Sequence, residues 1–202
     1  MANLSNTAYD ESISAARAMP AMLNLKKLMQ EGRVSQSPAA ATSKDASASG
    51  SQTQTIETRF GSVVFNLAQP VSFTRGLLGM PDKQRFGLAD FPNPRFAQFK
   101  LLQSLDDTGL SFITMPLELQ PDLIRAEDLQ RACEDVGITF SDLAVLLIVT
   151  VHRGATGGVQ LSVNNRAPIL LDAKTRQALQ YVFPHDRYQV QQVLKTDAQK
   201  TA

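Results

Sequence analysis

Three kinds of side chain in this sequence could do chemistry: the adjacent carboxylates Asp106 and Asp107, the histidines His152 and His185, and the single thiol Cys133. Two neighbouring carboxylates could bind a hard cation, but a calcium loop needs several further oxygen ligands at defined spacing, and that pattern does not follow them. Asp106-Asp107-Thr108-Gly109 instead has the composition of a tight hairpin turn, in which Asp bonds its own backbone and Gly109 is free to take positive φ. His152 reads as a strand-end residue and His185 as part of a polar loop after Pro184. Neither lies in a phrase that supplies a paired nucleophile. The sequence carries no Gly-x-Ser-x-Gly elbow, phosphate-binding glycine loop or His-Glu-x-x-His helix. Cys133 falls in a helix-like run and reads as a structural thiol. One cysteine makes neither an internal disulfide nor a cysteine-based zinc site. No catalytic residue, metal or cofactor is expected.

Charge says more by its placement than by its sum. The chain has 202 residues, 20 of them basic and 19 acidic, so no net field draws it to nucleic acid or to an anionic membrane. Between Asp106 and Asp142, however, nine acids face only Arg125 and Arg131, a local net charge of −7. One reading is a solvated helix whose acids complement its dipole. The sharper reading is an acidic face that docks a basic protein, since complementary charge speeds encounter and rejects wrong partners. Asp106, Asp107, Glu127 and Asp128 are its candidate contacts. Such a face repels nucleic acid, and no basic stripe with interleaved aromatics offsets it.

The elements that must position these residues begin after a different kind of segment. In residues 1–54, Pro20 to Glu31 has the signals of a short helix, with Pro20 near its first turn and Gly32 as its stop. Met22, Leu25 and Met29 share a face, with Leu28 beside them, so these four are candidates for docking in a partner's groove. An isolated helix of that length is marginal. Residues 35–54 are rich in Ser, Ala, Thr and Gln and predict a disordered linker. No secretion signal is expected, since no basic start with an apolar core and a small-residue cleavage site is seen, and Leu143–Val151 is far shorter than the roughly 20 residues a membrane helix requires. A reducing, cytoplasmic location is expected.

From residue 55 to 194 the pattern is mainly β. Ile56–Phe60, Val63–Phe65, a stretch with Phe96, Phe99, Leu101 and Leu102, and Leu110–Met115 predict short strands separated by turn residues. A helix is predicted over about Arg125–Val136, with Glu127 and Asp128 in its first turn and Gly137 past its end. Leu129, Ala132, Cys133 and Val136 form its inward stripe. Leu143–Val151, Val159–Val163, Ala167–Leu171 and Ala178–Val182 are further strands, with turns at residues 154–158 and at Asp172–Thr175. Pro168 cannot donate to a ladder, so it must sit at a strand start, an edge or a bulge. The expected fold is a small antiparallel β-barrel or strongly curved sheet with one or two short helices, ending in a polar tail over 195–202.

Two phrases stand out in this frame: Gln103-Ser104-Leu105-Asp106-Asp107-x-x-Leu110-x-Phe112 and Asn164-Asn165-Arg166-Ala167-Pro168-Ile169. With Gly76-Leu77-Leu78-Gly79 and the run Asp142–Val151, their order and spacing resemble the flagellar assembly factor FliW family over roughly Ile56 to Val193. The family usually has Asn-Leu before the residue preceding Ala-Pro-Ile, whereas Asn164-Asn165 puts a second Asn there. The resemblance implies a barrel-like, non-enzymatic cytoplasmic protein that binds flagellin before export. It also implies binding to CsrA, a basic translational repressor, which links flagellin supply to flagellin translation. Asn165 and Arg166, in the second phrase, join the candidate contacts. Two alternatives remain at this point: an adaptor that works through its N-terminal helix, and a ligand-binding or catalytic barrel gathering Asp106, Asp107 and His152.

Overall fold

The structure, a computed structural model, describes residue 25, residues 53–153 and residues 158–194. Along these residues run β1 (Thr53–Thr58), β2 (Gly61–Asn66), β3 (Val71–Phe73), β4 (Arg85–Asp90), β5 (Lys100–Ser104) and β6 (Ser111–Pro116). The helix α1 (Ala126–Val136) follows, then β7 (Leu143–Arg153), β8 (Val159–Val163), β9 (Ile169–Asp172), β10 (Gln177–Gln180) and β11 (Gln192–Val193).

Seven of these strands form a closed barrel in the order β3-β4-β5-β6-β7-β9-β10, which returns to β3. Every seam is antiparallel except β3–β10, which is parallel and registers only Ser72 with Gln177 and Phe73 with Ala178. Closure uses the length of β7. Its first part pairs with β9 through Leu143–Leu146, and its second part leaves the barrel wall to pair with β8 through Val149–Arg153. β11 adds to the outer edge of β8.

Alternation along the strands divides the apolar residues between the inside and outside of this wall. All seven strands contribute to the interior cluster, among them Phe73, Phe86, Leu102, Phe112, Leu146, Ile169 and Ala178. On β7 the odd positions Leu143, Val145, Leu147 and Val149 face outward instead, and meet Leu129, Ala132 and Cys133 of α1. A second outer face carries the β1–β2 hairpin, whose Ile56, Val63 and Phe65 lie over Leu101 of β5. Gly87 on β4 makes room for that hairpin: a Cβ there would come 2.4 Å from the Phe65 ring.

The mainly β expectation, the barrel and the helix are present. α1 ends where Gly137 takes φ 75° and donates its N–H to the Cys133 carbonyl at 2.8 Å. Pro168 immediately precedes β9, and Asp172 Oδ1 accepts from Lys174 N and Thr175 N in the turn after it. Several details differ from expectation. Phe96 belongs to a 3-10 turn, Pro94–Phe96, and the strand starts only at Lys100. The Asn93 side chain accepts from Arg95 N and, with Pro94, sets that turn. β3 and β11 were not expected; they have three residues and two. Gly109 does not adopt positive φ, because Asp107 Oδ1 captures its N–H at 3.1 Å and shapes the turn.

β1 begins at Thr53, so the expected linker over 35–54 overlaps it by two residues. The rest of that linker, the turn residues 154–157 and the tail over 195–202 lie outside the described residues. So does the predicted helix 20–31, except for Leu25, which is helical and 4% exposed within the barrel's interior cluster.

Candidate partner-binding surface

The candidate contacts fall on two separate constructions. The first is the β5–β6 turn. Gln103 is fully buried, and its Nε2 sits among the carbonyls of Ser104 (3.0 Å), Leu110 (2.9 Å), Thr108 (3.1 Å) and Asp107 (3.4 Å). Ser104 Oγ accepts from the backbone N–H groups of Asp106 (3.2 Å) and Asp107 (3.1 Å). The chain is thereby folded around two buried side chains, and the acids are carried to the outside. Asp106 Oδ2 accepts from Gln84 N (3.1 Å) and Arg85 N (2.9 Å), tying the turn to the start of β4. Asp107 lies 3.6 Å from Lys83 Nζ. Both acids are exposed yet have internal partners, and the first sequence phrase is therefore largely a hydrogen-bonding code for this turn.

The second construction joins α1 to the segments around residues 164–166 and 181–189. Asn165 is 3% exposed. Its Nδ2 donates to the Leu123 carbonyl at 2.9 Å, and its Oδ1 accepts from Gln189 N at 2.7 Å. Asn164 Oδ1 accepts from Ala167 N at 2.8 Å and closes the turn into β9. The second Asn of this phrase is thus a buried bridge between two loops, for which an aliphatic side chain has no equivalent. Arg166 is half-buried and pairs with the exposed Asp186 at 3.2 Å.

Asp128, in the first turn of α1, is 8% exposed. It accepts a short hydrogen bond from the Tyr188 hydroxyl and another from Arg187 Nη1 at 3.0 Å. Tyr188 in turn accepts from Arg125 N at 3.2 Å. The Tyr188 hydrogen bond is the main influence holding the Asp128 carboxyl below its ordinary pKa, with Arg187 adding to it and burial opposing it. Burial, then the bond to Asp128, pushes the Tyr188 hydroxyl up. Further along the helix Tyr181 donates to Asp135 Oδ2 at 2.6 Å, and this bond is the first cause of a phenol pKa raised to about 12. Glu127 stays exposed, 3.4 Å from Arg125. Glu134 and Arg131 are exposed on the same helix.

The structure does not gather Asp106, Asp107 and His152 through shared hydrogen-bond partners. His152 Nε2 lies 2.7 Å from Ser162 Oγ, a pair that sequence reading missed because the β7–β8 register creates it. Ser162 is only 1% exposed, so this hydroxyl is sheltered from an external substrate. His185 is exposed. Cys133 is 2% exposed, and burial pushes its thiol up to about 11, away from the reactive thiolate. Among the described residues, no group of three or more His, Cys, Asp or Glu side chains could hold a metal ion, and no helix is long and apolar enough to cross a membrane.

The family model described as "FliW protein" matches residues 54–194. The chain belongs to the FliW family. It is 31% identical over 137 residues to the flagellar assembly factor FliW of Syntrophus aciditrophicus, covering 66% of this chain and 82% of that one. The FliW of Syntrophotalea carbinolica is 30% identical over 143 residues, covering 70% of this chain and 97% of its own. A crystal structure of the flagellar assembly factor FliW shares the fold, with a TM-score of 0.55 at 24% identity. That match covers 71% of this chain and 99% of the crystallised one. The relatives are named as assembly factors rather than as enzymes.

Proposed function

We propose that the chain is a non-enzymatic, cytoplasmic flagellar assembly factor that binds flagellin and a CsrA-type translational regulator as alternative partners. Family membership carries this reading, through the match over residues 54–194. The resemblance implies the two partners, and the acidic stretch between Asp106 and Asp142 suits the basic one. The roles of the candidate residues divide by their geometry. Asp107, Glu127 and Arg166 would meet partners directly. Asp106, Asp128 and Asn165, already bonded to the chain's own backbone and side chains, would hold those surfaces in shape.

Purified flagellin and a CsrA-type regulator, each titrated against the full chain by calorimetry, test the reading. Binding of either supports it, and failure of both rejects it. The acidic face has its own test in the double variant Glu127→Lys with Glu134→Lys, both exposed positions. Affinity for the basic regulator should fall roughly tenfold at low salt, with the gap narrowing as salt screens the exposed charges. Unchanged affinity would remove the acidic face from the account while leaving the family assignment intact.

A further inference from the structure

From Pro92 to Gln98 every residue is exposed, and the segment carries no acid. Its backbone is nevertheless fixed. Asn93 Oδ1 accepts from Arg95 N at 3.0 Å, and the N–H groups of Phe96 and Ala97 reach back to the carbonyls of Asn93 (2.9 Å) and Pro94 (3.3 Å). The turn closes where Phe99 N donates to the Phe96 carbonyl at 2.9 Å. Phe96 is thus presented at 44% exposure on a wound turn. A single exposed phenylalanine needs no explanation, but this ring is the outer member of a row. Its centroid lies 6.4 Å from that of the buried Phe99 and 6.1 Å from that of Phe91. Phe91 in turn lies 5.1 Å from Phe60 in the β1–β2 turn. The Arg59 guanidinium sits over Phe60 at 4.8 Å and donates to the Ser111 carbonyl at 3.2 Å, which fixes a cation at the far end of the row.

Each of the four rings has a charged neighbour in sequence: Arg59, Asp90, Arg95 and Lys100. Lys100 and Asp90 neutralise each other at 2.7 Å. The exposed Arg59 and Arg95 pair with no carboxylate among the described residues, so the charge left beside the row is positive. Phenylalanine and arginine are enriched in protein interfaces, and a turn already wound needs little ordering on binding. We propose that the Phe96 turn, with the Phe91–Phe60 row behind it, is a docking surface for an acidic segment of another protein. The segment's apolar anchor covers Phe96, and its carboxylates meet Arg95 and Arg59. Two arginines fall short of the about four to eight basic residues by which an anionic membrane holds a segment. One largely exposed ring is too short a platform for the successive bases of a nucleic-acid strand. The surface does not include α1 or its acids, so it stands whether or not a basic partner binds there.

Peptide display on the full chain tests this. A random dodecapeptide library is selected on the wild type and then depleted on Phe96→Ser, which leaves only peptides that depend on Phe96. These should carry net negative charge and at least one large apolar residue. The tightest of them, labelled and read by anisotropy, should lose at least tenfold in affinity on Phe96→Ser and at least threefold on Arg95→Glu. The second loss should shrink at high salt, because the charge is exposed. If Phe96→Ser does not melt as a folded protein, Arg95→Glu replaces it in both steps and the threefold loss decides. An empty selection, or surviving peptides that are neutral or basic, would overturn the proposal. So would self-association, or binding to phosphatidylserine vesicles or oligothymidylate, that the same substitution abolishes. The surface would then belong to a second copy, a membrane or a nucleic-acid strand.

Discussion

Asp128 and Asn165 show how a polar side chain can hold a surface together from beneath. Each is nearly buried, and each bridges segments far apart in sequence: α1 to residues 187–188, and residue 123 to residue 189. A buried charge-assisted bond is worth about 1.5–3 kcal/mol, and a group orphaned in such a place costs about 1–3 kcal/mol. Asp128→Asn should therefore destabilise the chain by about 1–3 kcal/mol at pH 7 in a urea melt. Because folding lowers the Asp128 pKa from its ordinary 3.8, its contribution is fully present above that value and is lost as pH falls through the folded pKa. The gap between wild type and variant should close in acid below about pH 4, and a gap constant down to pH 2 would refute the linkage. Asn165→Leu should cost about 1–3 kcal/mol here, because Leu123 O and Gln189 N–H would lose their partner. A neutral result would mean that the two loops find other bonds. Neither bridge was legible in the sequence. An acid in a helix's first turn reads as a dipole partner, and only the fold brings Tyr188 and Arg187 onto it.

Elements were legible where their pattern was long or punctuated. The helix announced itself through its inward stripe and Gly137, and β7 through its run of apolar residues. β3 has three residues and β11 two, too few for any period to show, and Phe96 looked like a strand residue until Asn93 and Pro94 are seen to wind it into a 3-10 turn. The loop between β3 and β4 was recognisable only as a family phrase, and its geometry explains the phrase. Gly76 has φ 66°, and a Cβ there would lie 2.3 Å from the Met80 carbonyl oxygen. Both the backbone conformation and the contact exclude a side chain. Gly76→Ala should lower stability by about 1–3 kcal/mol from the backbone conformation alone, with more from the clash, read as a drop in the urea midpoint without a change in its slope. A tolerated substitution would mean that the loop has an alternative path.

At the scale of the molecule, one β-barrel carries a hairpin on one outer face and a helix on another, and the sequence predicted the barrel without its order or closure. Closure depends on pairings that no local pattern reveals: β7 divided between two neighbours, and β10 lying parallel to β3. With two registered residue pairs, the β3–β10 seam is the thinnest join in the wall. Native-state hydrogen exchange should find the amides of β3 and β10 opening at lower free energy than those of β5, β6 and β7. Uniform protection around the wall would show that closure is fully cooperative.

The same seam sets a timetable for the newborn chain. Ser72 must wait for Gln177, 105 positions later. Antiparallel neighbours can assemble as they emerge, but the ring has no last stave until β10 has been made. Until then its inward-facing phenylalanines and leucines have no closed wall around them, and a message cut short before β10 would yield an open sheet with sticky edges rather than a smaller working protein.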